Sequence, residues 1–214
     1  CGWWEKGTPP SPAHLGFLGR EGPPPHATEA EARAETRRIM DLYANFAMED
    51  AAVPVVPGRK SETEKFAGAV QSISMEAMMG DTKALQAGTS HFMGQNFAKA
   101  FDIKFLDNLI QHAWTTSWGV STRFVGAIIM THGDDHGLVL PPKLAPIQVV
   151  IVPIARNDAD RSIVMPVVEQ VSNELSQNFR IKVDDRSEVT PGFKFHDWEL
   201  RGVPLRLEIG PKDI

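Results

Sequence analysis

The sequence predicts an α+β unit of mixed strands and helices over residues 1–144, followed by an α/β unit over 145–214. Three observations predict it. A proline cluster at Pro141, Pro142 and Pro146 has the composition of a boundary. After it, short apolar runs alternate regularly with helical stripes, which implies a mainly parallel or mixed sheet with helices packed on it. Before it, β-rich runs follow one another, with an amphipathic helix ahead of them and an apolar one after them. The 214 residues, 42% hydrophobic and 23% charged, suffice for one large domain or two small ones.

Taken in order, residues 1–27 carry dense Gly and Pro (Pro9, Pro10, Pro12, Pro23, Pro24, Pro25) beside Trp3, Trp4 and Phe17, which predicts little regular structure. Thr28 opens a helix as half of a capping box with Glu31, and Glu29 adds negative charge at the positive end of the dipole. Ala32, Ile39, Leu42, Tyr43 and Phe46 make its apolar stripe, and Pro54 stops it inside a short strand near Val53 to Val56. A charged segment follows from Arg59 to Lys65. Strands are predicted over 70–79, 83–93 and 114–120, with a short helix from Gly94 to Phe101 that aligns Phe97 and Phe101. Ser121 to Met130, nearly all apolar, reads as a buried helix. Beyond the prolines, 148–154 reads as a buried strand. Asp158 is expected to cap a helix with the stripe Val164, Val167, Val168, Val171 and Leu175. Strand 179–183, helix 193–200 and strand 203–209 complete the unit.

Composition excludes some chemistry. The single cysteine, Cys1, rules out an internal disulfide framework and a cysteine-cluster metal site, and a cytoplasmic protein is expected. A run of eighteen apolar residues is absent, so no membrane partner is expected, and neither is DNA. The net charge of -5 means that any nucleic-acid contact needs a local basic face. There is no Gly-rich loop before Lys-Ser/Thr and no Gly-x-Ser-x-Gly elbow.

Three stretches carry the candidates. His132-Gly133-Asp134-Asp135-His136 has the residue types of a divalent-metal site, but no helix holds its histidines at ligand spacing. A polar loop whose Asp side chains cap backbone donors is the better reading, and no metal ligand is assigned. Lys83 to His91 gathers Gln86, Thr89, Ser90 and His91 on one strand around Gly88, where glycine often marks a close approach. Ser90 and His91 point to opposite faces, a poor nucleophile–base pair. Arg123 sits at the start of an apolar helix, a costly place for a charge unless it meets a carboxylate or a phosphate.

The order of these blocks resembles the prolyl-tRNA synthetases of the archaeal and eukaryotic-like type. The carriers are Gly58-Arg59-Lys60, Glu64 to Ala69, Lys83 to His91, Gly94 to Lys99, Thr116 to Gly119, Met130 to Asp135, Gly137 to Pro142 and Ala145 to Ile154. Asp184-Asp185-Arg186, Thr190 to Phe195, Trp198-Glu199-Leu200, Gly202-Val203-Pro204 and Gly210 to Asp213 continue it. The resemblance implies a partial class II catalytic domain, an antiparallel sheet with helices, followed by an α/β anticodon-binding domain. It implies ATP-dependent ligation of L-proline to tRNA-Pro through a prolyl-adenylate, with ATP and magnesium as cofactors and a homodimer in the longer protein. It assigns Arg123 as the ATP-gripping catalytic arginine and Gln86 and Thr89 as nucleotide contacts. Phe66, His91, Ser121 and Glu21 fall at the proline pocket, and Glu199, Arg206, Lys212 and Asp213 at positions that read the anticodon.

The N-terminal stretch departs from the pattern. Trp3 stands where the family has an ATP-gripping arginine, Gly19 where it has a pocket tryptophan and Pro23 where it has a histidine, while Glu21 and Gly22 are kept. These departures read as a frameshifted or mistranslated stretch. They lead to the expectation that the fragment is inactive alone, and to the alternative of a catalytically inactive, synthetase-like tRNA-binding module.

Overall fold

The computed structural model describes residues 25–214, together with the backbone of residues 19–22. The chain divides into two compact units, one ending at Thr131 and one running from His132 to Ile214.

The first unit contains β1 (Gly19–Gly22), β2 (Pro25–His26), α1 (Glu29–Asn45), β3 (Val55–Arg59), β4 (Gln71–Met78), β5 (Ala84–Gly94), α2 (Asn96–Ala100), β6 (Lys104–Asp107), β7 (Leu109–His112), β8 (Trp114–Ser121) and α3 (Arg123–His132). Its main sheet is antiparallel, ordered β1-β8-β5-β4-β3, with β2 also pairing β8. The expectation of little regular structure before Thr28 is therefore corrected at β1 and β2; residues 1–18 and 23–24 lie outside the described residues. The reason is tertiary. Unpaired, β8 would present a bare row of N–H and C=O groups, and pairing satisfies them whatever the local propensity. Pro57 lies in β3, and β3 forms the opposite margin of the sheet, where a missing N–H is tolerated.

The capping box at Thr28 forms, with Glu31 N donating to Thr28 Oγ1 at 3.2 Å and Thr28 N to Glu31 Oε2 at 3.2 Å. The buried stripe of α1 differs from the expected one: it is Ala32, Thr36, Ile39, Met40 and Ala44. Leu42 and Phe46 are exposed, because small residues let the helix lie close on the strands. Phe46 opens a π-helical turn, Phe46–Asp50, and its ring tilts against Phe124 at 5.5 Å. The helix α3 is likewise only half covered. Phe124, Gly126 and Ala127 are buried, whereas Val125, Ile129 and Met130 are exposed. An all-apolar run thus overstated burial, since the described chain covers one face of this helix. The hairpin β6–β7, which the sequence reading missed, projects Leu106, Leu109 and Ile110 into the open.

The second unit contains the small hairpin β9 (Gly133–Asp134) and β10 (Gly137–Leu138), then β11 (Val149–Pro153), α4 (Asp158–Ser176), β12 (Ile181–Val183), α5 (Pro191–Leu200) and β13 (Leu205–Ile209). Its sheet is parallel, ordered β12-β11-β13. β11 is apolar throughout because it is buried on both faces. Ile151 packs with Val164 and Val168 of α4, while Val150 and Val152 pack with Trp198 of α5. The cap of α4 is Asn157, whose Oδ1 accepts from Asp160 N at 2.8 Å; Asp158 is its neighbour in the first turn, a correction of one position. This unit begins ahead of residue 145 because its hairpin and the prolines are tied into it. Leu140 N donates to Gly202 O at 3.0 Å, and Arg180 Nε to Ala145 O at 2.9 Å.

Candidate functional site

One face of the main sheet gathers the polar residues of β5. Opposed residues of antiparallel strands share a face. Register sets Gln86 against Glu76, Thr89 against Ser74 and Gly119, and His91 against Ser72 and Ser117. Strict alternation would put Gln86 on the opposite face from Thr89 and His91. A bulge at Ala87, where Met75 opposes Gly88 and Glu76 opposes Gln86, switches the parity. Thus Gln86, Thr89 and His91 come together on one face, and Ser90 turns to the other, where it is buried.

The Gln86 and His91 side chains are held by neighbours. Lys60 Nζ donates to Gln86 Oε1. Ser72 Oγ and His91 Nδ1 share a hydrogen bond of 2.7 Å, and Phe66 N reaches the same Ser72 Oγ at 3.4 Å. The Phe66 ring tilts against His91 at 5.7 Å and stacks on Phe97 at 6.2 Å, with Phe101 continuing the stack at 6.0 Å. Beside them lies a cavity of about 340 Å³, lined by Phe66, Met93, Phe97, Phe101, Thr115 and Ser117. Its walls are rings and methyl groups with a few hydroxyls, the make-up of a site for a small, mostly apolar ligand.

Gly68 makes this aromatic stack fit. A Cβ there would stand 2.2 Å from Phe97 Cε2. Gly68→Ala is therefore expected to push Phe97 out of the stack and destabilise the unit by about 1–3 kcal/mol. A thermal melt indistinguishable from the parent would contradict this.

β8 supplies the other end of the face. Val120 opposes Gly88, so Ser121 ends the strand at the Gln86 side of β5, and Arg123 begins α3 directly after it. Ser121 Oγ accepts from Arg123 N at 3.3 Å, which fixes the start of the helix. Glu21 stands opposite Gly119 by register; its side chain lies outside the described residues, as do Trp3 and Pro23.

In the second unit, Glu199 and Arg206 meet. Arg206 Nη1 donates to Glu199 Oε1 at 2.9 Å and its Nε to Glu208 Oε1 at 2.9 Å, with the guanidinium 4.2 Å from the Phe195 ring centroid. The Arg206 hydrogen bond, assisted by His196, holds the Glu199 carboxyl below its ordinary range. Lys212 is exposed, and Asp213 Oδ2 accepts from Gly210 N at 2.8 Å, so that carboxylate shapes its own turn. The His132–His136 stretch is a turn in which Asp134 Oδ1 accepts from His136 N and Gly137 N at 2.8 and 3.1 Å.

The profile of the anticodon binding domain family matches residues 148–214, the span that folds as the parallel sheet with α4 and α5. A proline–tRNA ligase of Chloroflexus aurantiacus is 60% identical over 214 residues, an alignment covering 99% of this chain and 45% of the relative. The chain belongs to the prolyl-tRNA synthetase family. The chloroplastic/mitochondrial proline–tRNA ligase of Arabidopsis thaliana is 54% identical, over 99% of this chain and 39% of its own length. The crystal structure of the prolyl-tRNA synthetase from Cryptosporidium parvum, complexed with L-proline and AMP, superposes with a TM-score of 0.87 at 42% identity, covering 98% of this chain and 46% of that one. The chain thus spans about half the length of the relatives that it matches. The antiparallel sheet with helices and the α/β anticodon-binding domain are the two parts of the synthetase fold that it contains. Among the described residues, no helix is long and apolar enough to cross a membrane.

Proposed function

We propose that this chain forms the proline-activating and anticodon-reading parts of a proline–tRNA ligase, with residues up to about 144 serving catalysis and 145–214 serving tRNA recognition. The observation that carries the reading is the shared face of Gln86, Thr89 and His91 beside the Phe66–Phe97 cavity. Phe66, His91, Ser121 and Glu21 would hold L-proline, the apolar cavity receiving the ring. Gln86 and Thr89 would hold the nucleotide of ATP, and Arg123 would grip its phosphate. Proline carboxylate attacks the α-phosphate, pyrophosphate leaves, and the tRNA's terminal ribose hydroxyl then takes the prolyl group. The protein's share is positioning and stabilisation of phosphate charge.

Magnesium is a hard cation that takes oxygen ligands, usually one or two carboxylates with substrate phosphates. Glu76, opposite Gln86 and within 3.4 Å of Ser74 Oγ, is the carboxylate that β4 brings to this face, and it fits that donor set. Glu76 would hold the ion, which when bound would neutralise phosphate charge.

Glu199, Arg206, Lys212 and Asp213 would read the anticodon of tRNA-Pro. Glu199 and Glu208 fix the Arg206 fork in one orientation on the Phe195 ring, which suits hydrogen-bonded readout of a base edge. The longer protein would work as a homodimer in the cytoplasm. The test is a chimera in which residues 1–214 replace the corresponding part of the Chloroflexus aurantiacus ligase. Proline-dependent ATP–pyrophosphate exchange is expected, and its absence in a folded chimera that still binds tRNA-Pro would favour the inactive tRNA-binding module to which Trp3, Gly19 and Pro23 point. In that chimera, Arg206→Ala is expected to weaken binding of tRNA-Pro by about tenfold or more while leaving exchange intact. Equal binding by the variant would remove Arg206 from the recognition surface.

A further inference from the structure

The parallel sheet of the second unit has a crevice to which neither the anticodon residues nor the proline site belongs. β11 leaves the sheet toward α4 on one face, and its neighbour β12 leaves toward α5 on the other, as the separate packing of Ile151 and of Val150 and Val152 requires. Adjacent parallel strands whose exits diverge open a cleft at their carboxyl ends, where α/β sheets bind their ligands. A cavity of about 210 Å³ lies at that point, between the loops that follow β11 and β12.

Its lining is cationic. Arg156, Arg161, Arg186 and Lys194 face two carboxylates, Asp158 and Asp185. Arg186 spends its Nε and Nη2 on Asp184 and Asp197. The side chains of Arg156 and Arg161 hold no ion pair or hydrogen bond among the described residues. Lys194 is only 5% exposed; its ammonium makes one hydrogen bond among them, to Asp184 O at 3.0 Å, and lies 4.0 Å from Asp184 Oδ1. An ammonium carries three donors, and a buried one left partly unspent is costly unless a ligand completes it. The amino ends of α4 and α5 also open on this cavity and add to the positive field.

We propose that this crevice binds a phosphate group, held by Arg156, Arg161 and the Lys194 ammonium. Its volume suits one or two phosphates with little else. The phosphate belongs either to a polynucleotide backbone or to a free phosphorylated molecule. The site is separate from the Arg206 cluster, which sits on the α5 side of β13, and it stands whether or not the anticodon reading holds.

The test is a titration of the 214-residue chain, followed by backbone amide NMR, with sodium pyrophosphate and in parallel with a short single-stranded oligoribonucleotide. Shifts are expected in residues 155–161 and 185–194. Arg156→Ala and Arg161→Ala, both on the exposed rim, should each weaken pyrophosphate binding about tenfold, and Arg206→Ala should leave it unchanged. If the oligoribonucleotide moves the same amides, with a salt dependence that falls by about 1.4 in log–log slope in the double variant, the source is a nucleic-acid backbone. If pyrophosphate alone moves them, the source is a free phosphorylated molecule. The proposal is overturned if neither probe shifts these amides at low salt, or if the arginine variants bind as the parent does.

Discussion

Alanine at Arg123 is expected to lower proline-dependent exchange in the chimera by more than a hundredfold, and lysine is expected to restore little of it. Arg123 opens α3 at the end of the face that carries Gln86 and Thr89, its backbone N–H held by Ser121. A planar guanidinium can contact a phosphate with two parallel N–H groups, whereas an ammonium acts as a point charge. Removing one donor aimed at charge that develops in the transition state typically costs about 3 kcal/mol. The loss should therefore appear in kcat more than in the KM for proline, which the Phe66 side of the face would serve. A variant with unchanged kcat and a raised KM would move Arg123 out of the phosphate-binding role.

Replacement of Asp184 should have the largest effect on stability. Its carboxylate is 3% exposed and accepts from Arg186 Nε at 2.8 Å, Arg186 Nη2 at 2.6 Å and Trp198 Nε1 at 2.7 Å. Asp184→Ala leaves the Trp198 indole and the inner side of the Arg186 guanidinium unpaired and takes away the carboxylate 4.0 Å from the Lys194 ammonium, at a cost of about 3–5 kcal/mol, which a denaturant melt of the chain would read. The Arg186 hydrogen bonds, followed by that of Trp198, hold the Asp184 carboxyl well below the ordinary aspartate range. Its contribution is therefore complete above the unfolded value near pH 4 and is lost as the pH falls from there toward the folded value. The parent should lose stability steeply on that descent, and Asp184→Asn should flatten the slope. A parent melt independent of pH below about 4 would show that Asp184 is not the linked group.

Much of this architecture was legible in the residues. Thr28 and Glu31 announced their helix, and the Val164–Val171 stripe announced α4, since capping and 3.6-residue periodicity are local properties of a chain. The starts of α4 and α5, expected at Asp158 and Phe193 and found at Asp158 and Pro191, were readable to within two residues. Burial was less readable. Leu42, Val125 and Ile129 are as apolar as their buried neighbours, and only packing partners decide which face is covered. The hairpin β6–β7 carried no sharp turn signal, because the positive φ at its tip belongs to Asn108 and not to a glycine. The Asp184 network was equally hidden, since its members come from two separate stretches, the loop after β12 and α5.

By itself the sequence determined the family, the order of the longer helices and strands, and the identity of the polar residues of β5, because these follow from local pattern and from ordered blocks of residues. Only the tertiary structure decided that Gln86 shares a face with His91. Side-chain direction in a strand depends on parity, and one bulged residue at Ala87, visible only once two strands are paired, inverts it.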